Sequence, residues 1–143
     1  MVPLVEAMPA DKFDFAPTGG EFKGVRTFAQ QAKHVAYVNY AVGSATLGEK
    51  NPSTTGPNEN GPDTVRTKDE IVKYLKDSFA YAHKAAQSLT AENATDLMAS
   101  PFGDGKMPKL SAINVVGWHA FDHYGQMAVY ARMNGIVPPA SRQ

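Results

Sequence analysis

The segment "TFAQQAKHVAYVNYAVGSATL", Thr27 to Leu47, reads as one uninterrupted helix. Thr27 and Gln30 stand at capping-box spacing, where each side chain satisfies a backbone N–H of the other residue. Phe28, Ala32, Val35, Val38 and Val42 follow at helical intervals and supply an apolar face. Gly48 and the Asn51-Pro52 pair end the helix. Within it lies a histidine, His34, set among Gln30, Gln31, Tyr37, Val38 and Ala41.

Two further segments repeat the pattern. Thr67 to Leu89 opens on a second capping box, Thr67 with Glu70, and places Ile71, Leu75, Phe79, Ala82, Ala86 and Leu89 on one side. Ser111 to Asn134 ends at Gly135, with Pro138-Pro139 just beyond. Between the helices, Gly48 to Arg66 is built of turn formers and reads as a surface loop. "SPFGDGKMPK", Ser100 to Lys109, holds a Gly-Asp-Gly turn and room for a short extended piece. "PADKFDFAPTGG" alternates Phe13 and Phe15 with charges and reads as an irregular arm laying its rings on the core. Only "VPLVEAM" before it has helical character, two turns at most. With no strand-type alternation of any length, the expectation is a single all-α domain over residues 1–143. Three long helices and a stub leave an apolar groove partly open, so a homodimer is expected to cover it.

Composition excludes several function classes. Lysine plus arginine equal aspartate plus glutamate, 14 against 14, which offers no electrostatic footprint for nucleic acid or an anionic membrane. The chain has no cysteine, so disulfides, thiolate catalysis and zinc-finger sites are out, and metal binding falls to histidine and carboxylate. No apolar run approaches the roughly 20 residues of a membrane span, and "MVPLVEAMPADK" lacks the build of a signal peptide. A cytoplasmic protein is the expectation.

The chemistry concentrates in "GWHAFDHYGQMAVYARMNG", Gly117 to Gly135. His119 and His123 are four residues apart, about 40° around a helix, so both imidazoles leave one face and can reach a single ion. The rest of that face, Ala112, Val116, Gln126, Met127 and Tyr130, is largely apolar and points it into the bundle. If His34 also faces inward, three buried imidazoles meet, an arrangement that is costly unless a cation resolves it. If it faces out, the pair is hydrogen-bonded core material, and spacing alone leaves the two readings even. Asp122 is either a partner orienting one imidazole or a solvated helix residue. His83 has no evident partner and reads as a surface or packing residue, and the tyrosines Tyr37, Tyr40, Tyr124 and Tyr130 read as amphipathic packing. Ala120 stands where a zinc-protease helix needs its glutamate, and no Glu-x-x-His pair, glycine-rich nucleotide loop or nucleophile elbow occurs.

Taken together, "TFAQQAKHVAYVNY" and "WHAFDHYGQMAVYARMNGIVPP" resemble the DinB-like (DinB/YfiT) superfamily of bacterial metal-binding bundles. Its pattern has one histidine on the second helix, an H-x-x-x-H pair on the last, a Tyr/Arg-Gly-Gln after the pair, and a Gly-then-Pro ending. "MPADKFDFAPT" also resembles the link between the family's first two helices, and the likeness runs from about Pro3 to Pro139. The resemblance implies an up-down-down-up four-helix bundle, here with a shortened first helix, and a divalent ion, zinc or nickel foremost, on His34, His119 and His123. It also implies dimers, and either a metal-dependent transferase using a low-molecular-weight thiol or a hydrolase. A non-catalytic metal-binding bundle, acting as a sensor or interaction protein, is the alternative. Bis-histidine haem ranks below both because the helical pair is adjacent. Because ligand imidazoles must be neutral, such an ion is expected to leave below the free-histidine pKa of about 6.5.

Overall fold

The computed structural model describes residues 1–53 and 58–142. Its elements are α1 (Val2–Ala7), α2 (Phe28–Leu47), α3 (Lys68–Gln87), β1 (Leu97–Ala99), β2 (Lys106–Pro108) and α4 (Lys109–Met133), with a 3-10 turn in the arm and another near the C-terminus. Both capping boxes form: Thr27 and Thr67 accept from the Gln30 and Glu70 backbones, whose side chains accept in return. Gly48 takes a left-handed φ of 68° to stop α2. Gly135, at φ 76°, closes α4 with the Gly135 N–H on the Arg132 carbonyl and the Ile136 N–H on the Ala131 carbonyl.

Contacts between helices set their directions. Asn39 donates to Ser78 Oγ at 3.1 Å, and further along both helices Gly43 meets Tyr81 and Ala82, so α2 and α3 run parallel. An alanine Cβ at Gly43 would lie 2.8 Å from the Tyr81 ring, which is why a glycine stands at this crossing. α4 opposes α2, pairing Gln31 with Gln126 and His34 with His119. α1 opposes α3, with Glu6 on Lys76 at 2.6 Å and the Met8 carbonyl on Lys68 at 2.8 Å. The bundle is therefore up-down-down-up. Parallel α2 and α3 need a long crossover, and the 48–66 segment supplies it; residues 54–57 of that expected loop lie outside the described residues.

The arm behaves as its alternation suggests. Phe13 packs edge-on to Phe28 and Phe15 edge-on to Tyr130. Their carbonyls accept from the Ala29 and Phe28 N–H groups, which α2 itself cannot satisfy. Two buried clusters fill the interior. One joins Leu4, Val5, Phe28, Leu75 and Met127 among others; the other joins Val38, Val42, Met98, Ala112 and Val115. On α4, His119 and His123 lie in sequence between Val115 of the second cluster and Met127 of the first; on α2, His34 lies within the first, between Ala32 and Val35. Among the described residues, the one element beyond an all-helical outline is the β1–β2 hairpin, whose Gly-Asp-Gly turn returns the chain so that α4 starts at Lys109 rather than Ser111. No helix among the described residues is long and apolar enough to cross a membrane.

Candidate metal centre

His34 faces inward, which decides the question that spacing left even. It is 8% exposed and His123 6%, and one ring nitrogen from each of His34, His119 and His123 lies within 4.8 Å of the other two. His119 Nε2 is 3.2 Å from His34 Nε2 and 3.1 Å from His123 Nε2. Imidazole nitrogens about 2.0–2.1 Å from a tetrahedral ion stand roughly 3.3–3.4 Å apart, close to this spacing.

The outer nitrogens dictate what the inner ones can do. His34 Nδ1 is 2.8 Å from the Glu59 carbonyl, which only accepts, so Nδ1 carries the proton and Nε2 presents a lone pair. His123 Nδ1 meets Gln31 Oε1, so it too is the donor, and its Nε2 is also a lone pair. Two lone pairs therefore converge on His119 Nε2, which has at most one proton to offer. A cation satisfies all three, and the donor set fits a divalent ion. The one group left over is His119 Nδ1, buried without a hydrogen-bond partner among the described residues.

Behind His123 the support continues. Gln31 Nε2 donates to Gln126 Oε1 at 2.9 Å, and Gln126 Nε2 donates to Asp122 Oδ2 at 3.1 Å. Asp122 thus touches no imidazole; its carboxylate reaches His123 through two glutamines. Behind His34, the loop carrying Glu59 is held by Arg26, whose Nη2 is 3.1 Å from Glu59 Oε2 and whose Nε donates to Asn60 at 2.8 Å. Of these residues, Gln31, Glu59 and Arg26 carry no signal as supports in the sequence; Asp122 and the Gln126 of Tyr-Gly-Gln do.

As free imidazoles the three resist protonation. Burial pushes His119 down to about 4, helped by its positive neighbours His123 and His34 and opposed by Asp122. Burial likewise pushes His123 down to about 4, with His34 and Arg26 adding to it. His34 is lowered by burial, partly offset by its bond to the Glu59 carbonyl. The acid window for ion release therefore lies below the free-histidine value near 6.5 that sequence alone suggested. Neutral imidazole is the ligating form, so the site is ready for an ion throughout the neutral range.

Beside the centre is a cavity of about 510 Å³ with His34 and His119 in its wall. No carboxylate or fourth histidine joins the three among the described residues. His83 is exposed on α3, away from the triad, as expected. Tyr124 lines a different, apolar groove with Met1, Phe79 and Phe121, and Tyr130 donates to the Arg26 carbonyl at 3.2 Å. Tyr40 stacks with Tyr74 and Tyr81, and only Tyr37 borders the cavity at the histidines.

A search of curated proteins finds no match to the sequence. A crystal structure of a DinB-like protein from Bacillus cereus matches with a TM-score of 0.74 at 18% identity, over 96% of this chain and 85% of that one. At that identity the likeness concerns the fold. The sequence pattern of the DinB superfamily matches residues 1–127, a span that holds His34, His119 and His123, and the chain belongs to that superfamily.

Proposed function

We propose that this chain is a metal-dependent enzyme, a thiol transferase or a hydrolase, acting on a small molecule at the three-histidine centre with zinc or nickel. The observation that carries this reading is the pairing of three convergent Nε2 atoms with a cavity that reaches two of the ligands. Three protein ligands and an accessible side are the makings of a catalytic site, whereas a structural site closes its sphere with a fourth. A divalent ion held there would lower the pKa of a bound water or thiol toward neutrality. The chain's own part is to aim the imidazoles, through Glu59 on one side and the Gln31–Gln126–Asp122 chain on the other. Having no cysteine, it must take any thiol from solution.

The test has a spectroscopic arm and a turnover arm. Cobalt-substituted protein titrated with 2-mercaptoethanol should develop a thiolate-to-cobalt absorption band, and zinc- or nickel-loaded protein should exceed His119→Ala in one of two reactions. These are displacement of chloride from 1-chloro-2,4-dinitrobenzene by cysteine and p-nitrophenyl acetate hydrolysis. A cobalt spectrum indifferent to thiol, with no rate above the variant, would leave the non-catalytic bundle as the better reading.

We also infer a cytoplasmic homodimer. Its support is the outer face of α4, where Phe121, Val129 and Met133 are all more than half exposed, next to the Met1–Phe79–Phe121–Tyr124 groove. A solution mass of one 15.4 kDa chain by light scattering would contradict it.

A further inference from the structure

The cavity beside the histidines carries information about what enters it. Its apolar wall includes Val38 and Ala41 on α2, Phe102 and Met107 on the hairpin, and Trp118 on α4. At about 510 Å³ it is the size that encloses a small organic molecule. No lysine or arginine lines it among the described residues. The one ionised side chain there among the described residues, Glu59, is already engaged by Arg26 at 3.1 Å. Its other polar lining is His34, His119 and Tyr37, and the remaining residues are aliphatic or aromatic. Phe102 and Trp118 are 52% and 60% exposed, leaving two ring surfaces in water that an apolar body could cover. A separate polar hollow lined by Arg26, Gln30, Gln31, Asn60 and Gln126 includes none of the three histidines, so the cationic and amide groups collected there do not serve this cavity.

We propose that the cavity binds an uncharged, ring-bearing small molecule that presents one metal-ligating group to the histidine centre and lays its apolar body against Val38, Ala41, Phe102, Met107 and Trp118. This rests on the metal-centre reading and narrows its substrate class. An anionic tail is disfavoured, because a carboxylate moved from water against the apolar wall away from the histidine centre finds no lining lysine or arginine among the described residues to compensate its lost hydration. A purely polar substrate leaves the aromatic walls wet and draws nothing from them.

Three hydroxamates share one chelating group and differ only in their bodies: acetohydroxamate, benzohydroxamate and 4-carboxybenzohydroxamate. Trp118 is the only tryptophan, so its fluorescence reports binding in this cavity directly. On zinc-loaded protein, benzohydroxamate is expected to bind at least tenfold tighter than acetohydroxamate and at least tenfold tighter than its carboxylated relative, quenching Trp118. Ala41→Phe, which fills the floor, is expected to remove the advantage of the ring while keeping one zinc per chain. Zinc-loaded protein that binds all three alike, or the carboxylated one best, overturns the proposal and leaves the metal centre standing. Protein that takes up no zinc overturns the metal-centre reading and this inference with it. The three-probe comparison on the unmodified chain decides the matter even if Ala41→Phe fails to fold.

Discussion

Zinc in a thousandfold excess over its dissociation constant is expected to stabilise this protein by about 4 kcal/mol, and His119→Ala is expected to lose that stabilisation almost entirely. The reasoning runs through the protons. Glu59 and Gln31 hold His34 and His123 in the tautomers that aim Nε2 lone pairs inward, and His119 Nε2 sits 3.2 and 3.1 Å from them. Removing His119 leaves two ligands and an open third corner. The same pair of folding measurements, with zinc and with chelator, separates this from a packing defect: a defect lowers both curves, whereas loss of the ligand closes the gap between them. A graded series extends the point. Gln31→Leu keeps all three ligands but cuts the hydrogen-bond chain behind His123, and its zinc affinity should fall about 10–100-fold. Zinc-dependent stability that survives His119→Ala would place the ion elsewhere.

The second large effect is on acid stability. In the metal-free folded chain His119 and His123 titrate near 4, while in the unfolded chain they titrate near the ordinary value of about 6.5. Between those limits the unfolded chain binds more protons, so stability is full above the upper limit and falls as pH drops toward the lower one. His34 is shifted in the same direction and adds to the slope. Near pH 5, unfolding of the metal-free protein should take up roughly two protons from this pair, read from the pH dependence of the urea midpoint. Zinc should raise the midpoint by a nearly constant amount over this range, since the folded imidazoles are neutral with or without it, and the two curves should converge only near pH 4, where protons begin to displace the ion from the folded chain. A metal-free protein whose midpoint is flat from pH 7 to 4.5 would mean the imidazoles are not buried together.

Much of this was legible in the chain. The capping boxes at Thr27 and Thr67, the apolar spacing of α2 and α3, and Gly135 are local signals, and the structure reproduces each. The pair on α4 was visible because helical geometry alone puts residues four apart on one face. His34 was not decidable that way, since its direction depends on how α2 meets α4 across 85 residues of chain. Its main support, the Glu59 carbonyl, was invisible for a deeper reason: a backbone oxygen has no residue type, so no composition or motif announces it. Asp122 was weighed as a direct partner of an imidazole, yet i,i+4 geometry gives it to Gln126 on its own helix, and Gln31 carries the effect across. The hairpin was expected only as an extended piece because strands of three residues are too short for alternation to register. It matters all the same, for it brings Phe102 and Met107 to the cavity.

The most direct test of the central claim is the metal content and ligand shell of protein purified without a metal-affinity step. Elemental analysis should find close to one divalent ion per chain in the natural sequence and almost none in His119→Ala. X-ray absorption at that metal's edge should show three imidazole nitrogens at about 2.0–2.1 Å, if the metal is zinc. An unmodified chain that carries no ion after exposure to zinc and nickel, or an ion whose shell lacks imidazole, would contradict the account.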